Sequence, residues 1–152
     1  MPDTGTETTA RATVEIQASR ADVWRSLTDP AEIKKYFMGD ADVATDWKVG
    51  SPITFRGEWN GQAFEDKGEI VTFEPERELA YSHFSPMTGK PDEPESYHVV
   101  DITLGGDDGT TTVTLEQSNL TGVVTREDEQ NRAAFEQNWQ DMLDKLKATT
   151  EH

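Results

Sequence analysis

"FEQNWQDMLDKL", residues 135–146, decides how the rest of the chain must be arranged. Phe135, Trp139, Met142, Leu143 and Leu146 recur at the spacing of one broad helical face. The pattern predicts a helix of about 24 residues that Thr125 can cap. Glu127, Asp128 and Glu129 complement its positive end, and Lys145 and Lys147 its negative end. Such a stripe has to be buried, and the only surface large enough to bury it is a sheet.

The sheet is legible upstream. "ATVEIQA" (12–18) sets Val14 and Ile16 against Thr13, Glu15 and Gln17, as in a half-buried strand. "ITFRGEW" (53–59) alternates Ile53, Phe55 and Trp59 with Thr54, Arg56 and Glu58, which puts Arg56 on the solvated face. Asn60-Gly61 is the strongest hairpin signal in the chain. "AFEDKGEIVTF" (63–73) follows, with Gly68 a bulge or a point of close approach. Strands over 78–85, 96–105 and 110–118 complete a set of six, joined by hairpin-length connections and therefore antiparallel.

Between the first two strands the pattern changes. Ser19 with Asp22 three residues on resembles a capping box, and Val23, Trp24 and Leu27 share a helical face. Asp29 followed by Pro30 starts a second short helix with Ile33, Tyr36 and Phe37 on its apolar side. The stretch from Met38 to Pro52 reads as irregular. Residues 1–11 read as a disordered tail and 12–150 as one domain, since 152 residues suffice for a single core.

Composition narrows the chemistry. With 30 acidic against 14 basic residues the net charge is −16, a field that repels nucleic acid and anionic membranes. Cysteine is absent, which removes disulfides, thiolate catalysis and cysteine-based metal sites. No apolar run approaches the ~20 residues of a membrane span, and the N-terminus lacks the pattern of a signal peptide. The expected location is the cytoplasm.

Two strands place histidines among apolar residues. His83 shares a face with Leu79 and Tyr81, and His98 with Val100, Ile102 and Leu104. A symmetric connection between these strands would set the two histidines opposite each other, where they could orient a ligand or transfer protons near neutral pH. They could equally be satisfied by Tyr81, Tyr97 or water. No metal-ligand spacing accompanies them, and neither a metal nor a cofactor is expected. Phe55, Trp59, Phe73, Trp139 and Met142 are the residues expected to meet between sheet and helix.

The order strand, two short helices, five strands and long final helix resembles the α+β helix-grip fold of the START-related (SRPBCC) superfamily. "IQASRADVWRSLTDPAEIKKYF", "GEIVTFEPERELAYSH", "GTTTVTLEQSNL" and "NWQDMLDKLK" narrow the resemblance to the family named for the activator of Hsp90 ATPase homologue. The resemblance implies a curved six-stranded sheet wrapped around the last helix, enclosing a cavity for a small apolar or aromatic molecule. It would be lined by Phe55, Trp59, Phe73, Tyr81, His83, His98, Val100, Trp139, Met142 and Leu143.

The family often has Trp where Tyr36 or Phe37 stands and Gly-Trp where this chain has Asn138-Trp139. Two further functions follow from the same resemblance: a cyclase- or hydrolase-type enzyme using His83 or His98, and a chaperone-interacting protein. A chaperone partner ranks last, because the resemblance covers only one domain of such co-chaperones. A homodimer is left open.

Overall fold

The computed structural model describes residues 8–37, 42–59, 61–86, 89–106 and 109–151. In chain order its elements are β1 (Thr8–Ile16), α1 (Arg20–Thr28), α2 (Pro30–Tyr36), β2 (Asp42–Thr45) and β3 (Pro52–Trp59). β4 (Gln62–Glu74), β5 (Glu78–His83), β6 (His98–Gly105), β7 (Thr111–Asn119) and α3 (Arg126–Glu151) complete it. The strands form one antiparallel sheet in the order β1-β7-β6-β5-β4-β3-β2. This is the expected helix-grip architecture, with seven strands in place of six. The added strand is β2, whose four residues bury only Val43 and so leave no alternation to read.

β1 also begins earlier than its pattern implies. Thr9 and Ala10 are fully buried although neither marks a core position by its type. The expected tail over 1–11 therefore gives way to strand from Thr8 onward, and residues 1–7 lie outside the described part.

The local signals act as their chemistry dictates. Ser19 Oγ accepts from the Asp22 amide at 3.1 Å, and Asp29 Oδ1 accepts from that of Ala31 at 3.0 Å. At α3 the box is reciprocal: Thr125 Oγ1 accepts from Asp128 N at 3.1 Å, while Asp128 Oδ2 accepts from Thr125 N at 2.8 Å. Trp59 pairs with Gln62 across a two-residue turn in which Gly61 takes φ +79°; Asn60 lies outside the described residues.

β4 is the longest strand and serves two partners. Residues 62–69 pair with β3 and residues 70–74 with β5, with a register shift between Ile70 and Thr72. A bulge of this kind bends the strand. Gly68 sits at the bend because nothing larger fits: a Cβ there would lie 1.7 Å from the Ser82 carbonyl oxygen. The Ser82 hydroxyl in turn accepts from the Glu69 amide at 3.0 Å.

α3 packs its stripe on the inner face of the sheet, where Leu143 and Leu146 are completely buried among Ile16, Val23, Val113 and Leu115. Burial of each such leucine contributes about 1.5–3 kcal/mol. The same helix covers the free edge of β1. Arg132 donates to the Thr8 carbonyl at 2.6 Å, Gln140 to that of Thr13 at 3.1 Å and Lys147 to that of Glu15 at 2.8 Å. Glu136 and Glu151 accept from the amides of Arg11 and Gln17 at 3.0 and 2.7 Å. An edge strand thus has its outward backbone groups answered by side chains.

Candidate functional site

The inner face of the sheet divides into an apolar end and a polar end. At the apolar end, α1 and α2 close over the sheet. Leu27, Ile33, Tyr36 and Phe37 come from the helices, and Val43, Trp47, Ile53 and Phe55 from β2, β3 and the loop between them. Leu79, Tyr81 and Ile102 rise from β5 and β6, and Met142 descends from α3. Together they enclose a chamber with about 20 Å³ of free space. That is room for roughly one water molecule.

The chamber is filled by its own rings. Phe37 stacks on Phe55 with centroids 5.3 Å apart and planes 15° apart. Trp47 reaches it from a backbone held at φ +58°, a left-handed conformation uncommon for a bulky residue. Its indole lies 6.1 Å from Phe73, which also meets Trp24 at 5.4 Å. Burial raises the Tyr36 phenol well above its usual range, as do the nearby Tyr81 and Glu32, and the Tyr36 hydroxyl donates to the Ser26 carbonyl at 2.9 Å. Burial likewise raises Tyr81, so both phenols stay protonated.

The polar end is built by β4, β5, β6, β7 and the first half of α3. His83 and His98 are direct partners across β5 and β6, the juxtaposition expected from the symmetry of their connection. His83 Nε2 lies 2.9 Å from Oδ2 of Asp66, which is 5% exposed. An ionised carboxylate only accepts, so in that pairing the imidazole Nε2 carries the hydrogen. The other oxygen, Oδ1 of Asp66, is buried and has no hydrogen-bond partner among the described residues. Leaving such a group unsatisfied costs about 1–3 kcal/mol.

His98 is governed chiefly by burial, which lowers its pKa; Asp128 pulls the other way, and His83 adds to the lowering. It is therefore neutral at pH 7, with its ring edge-on to Phe135 at 6.1 Å. Burial alone would raise Asp128, but hydrogen bonds from Thr125 and Asn119 outweigh it and hold the carboxylate below its usual range. Trp139 donates from Nε1 to Oε1 of Gln117 at 2.8 Å, and Gln117 donates onward to Thr9 Oγ1 at 2.9 Å.

The expected site residues therefore separate. Phe55, Tyr81 and Met142 line the chamber. Phe73, Val100 and Leu143 belong to the core packed beside it. His83 and His98 are paired at the polar end, where Trp139 engages Gln117. The side chain of Trp59 lies outside the described part of the structure.

Ile33, Tyr36 and Phe37, the apolar side expected for the second short helix, face the chamber. Sequence reasoning missed Asp66, which the alternation Phe64, Asp66, Gly68, Ile70 puts on the inner face. No three His, Cys, Asp or Glu side chains among the described residues converge as metal ligands. No helix among them is long and apolar enough to cross a membrane.

Residues 17–151 match the family model described as activator of Hsp90 ATPase homolog 1-like protein. Among solved structures, a protein from Cytophaga hutchinsonii is 45% identical, with 93% of each chain covered and a TM-score of 0.71. The Aha1 dimer from Colwellia psychrerythraea is 22% identical over 93% of this chain and 95% of that one, with a TM-score of 0.69. A protein from Mesorhizobium loti is 23% identical over 91% and 95% of the two chains, with a TM-score of 0.67. No curated protein matches the sequence.

Proposed function

This chain belongs to the activator of Hsp90 ATPase homolog 1-like family, and on that premise we propose that it binds a small aromatic or apolar molecule between the sheet and α3. One observation carries the reading: the apolar chamber is occupied by rings that a ligand could replace. Phe37 ends α2 and is only half-buried, yet its ring lies flat on Phe55. An aromatic ligand that took the place of Phe37 on Phe55 would recover the same stacking contact. Ligand pockets usually need roughly 300–1,000 Å³, so entry requires Phe37 to swing out with the end of α2.

Titration of tryptophan fluorescence with naphthalene tests this, because Trp47 lines the chamber and Trp24 lies behind Phe73. Saturable quenching is expected in the wild type. In Phe37→Ala, which vacates the seat in advance, the affinity should rise about ten-fold, the equivalent of ~1.4 kcal/mol no longer spent on displacement. Absence of quenching in both proteins would refute the proposal. The setting we propose is the cytoplasm, with no membrane or nucleic-acid partner, as the charge of −16 favours.

A further inference from the structure

The Asp66–His83 pair joins a buried carboxylate to a partly exposed imidazole. Asp66 stands directly opposite Phe55 across β3 and β4, so it shares the inner face with a chamber-lining residue. The Phe55 ring also touches Tyr81 at 5.4 Å and the His83 ring, edge-on, at 5.5 Å. Phe55 thus borders both the chamber and the polar pair. Beside it Oδ2 of Asp66 is engaged by His83, while Oδ1 is buried and unpartnered among the described residues. A buried carboxylate oxygen that accepts nothing from the described residues is suited to accept from something else.

We infer that Asp66 and His83 form an anchoring site for a hydrogen-donating substituent, a hydroxyl or N–H group, on the aromatic molecule that enters the chamber. The inference rests on the binding function proposed above and names the ligand class: a phenol-like or amino-substituted aromatic rather than a plain hydrocarbon. Oδ1 of Asp66 accepts from the ligand. His83 fixes the carboxylate by holding Oδ2, and His98 is its direct cross-strand partner. A charge-assisted hydrogen bond to a desolvated carboxylate discriminates strongly, because the competing hydrocarbon leaves the same oxygen unpaired.

The test compares 2-naphthol with naphthalene by calorimetry or tryptophan quenching, on the wild type, Asp66→Asn and His83→Gln. The expected result is an advantage of ten-fold or more for 2-naphthol in the wild type. It should fall below three-fold in Asp66→Asn and shrink in His83→Gln, with naphthalene affinity held within two-fold throughout. Naphthalene binding doubles as the check that each variant is folded, and His83→Gln keeps the test open if Asp66→Asn is not. Equal binding of the two compounds by the wild type, or an advantage that survives Asp66→Asn, would overturn the anchoring site while leaving the chamber proposal intact. Binding of neither compound would overturn both.

Discussion

The two ends of the buried face are assembled by opposite means. At the chamber end, helices and strands meet through rings and aliphatic chains, and the contacts are interchangeable: Phe37 lies on Phe55 much as any aromatic molecule would. At the other end, hydrogen bonds with fixed partners set the main side chains, from Asp66 to His83 and from Trp139 through Gln117 to Thr9. Apolar packing is non-directional and tolerates rearrangement, whereas a buried polar network penalises any group left over. The difference teaches which end can open and which must stay still. On the proposed binding function, a ligand would displace packing at the chamber end, and the polar end would supply orientation only if it does not move.

Three experiments probe that contrast. The largest effect is expected from Gly68→Ala, which attacks the bend joining the two ends. Its Cβ would lie 1.7 Å from the Ser82 carbonyl oxygen, a backbone atom that can retreat only by separating β4 from β5. A loss of about 4 kcal/mol or more, at the extreme of what single changes do, should appear in urea unfolding. Unfolding close to that of the wild type would mean that the bend is adjustable.

A smaller effect is expected from Trp139→Phe. The ring stays, but Oε1 of Gln117 loses its donor within a buried network. Equilibrium unfolding should report a loss of about 1–2 kcal/mol, while naphthalene affinity at the chamber end remains unchanged. A parallel loss of affinity would show that the two ends do not behave independently.

The smallest effect is a slope with pH. Because the pKa of His98 is lowered in the folded protein, mainly by burial, it binds its proton less readily there than in the unfolded chain. Its contribution to stability is present above the unfolded value near 6.5 and is lost as pH falls through the folded value. On the outer face of the sheet Asp101 acts in the opposite sense. Burial and a hydrogen bond with Glu78 push its carboxyl up to about 7, with Glu116 adding to the rise. Its contribution is therefore full near pH 4 and is lost as pH rises through 7. In an Asp101→Asn background, thermal unfolding between pH 5 and 8 should show declining stability on the acid side, and adding His98→Gln should flatten it. A decline that persists in the double variant would assign the acid response elsewhere.

The chamber end and the polar end were not equally legible in the sequence. The stripe from Phe135 to Leu146, the caps at Ser19, Asp29 and Thr125, and the turn at Gly61 each state their role through one residue and its spacing. Even the pairing of His83 with His98 follows from the symmetry of the connection between their strands. β2 was hidden because four residues with one buried side chain carry no period. The early start of β1 was hidden because Thr9 and Ala10 are buried beneath a helix that meets them only in three dimensions. Asp66 had the right alternation but the wrong chemistry for a reader who sends carboxylates to the surface. What made it interior is a partner 17 residues away on the next strand.

The side chains that α3 sets along β1 have a consequence for synthesis. Arg132 and Glu151 reach groups on β1 and just past its end that precede them in the chain by 124 and 134 residues. At ordinary translation speeds that interval lasts on the order of ten seconds. Throughout it, the outward amides and carbonyls of β1 have no helix to answer them. An open strand edge is a template for another strand, and neighbouring ribosomes on one message present identical chains at high local concentration. The finished molecule has closed a seam that every nascent copy must carry open until the last turn of its helix emerges.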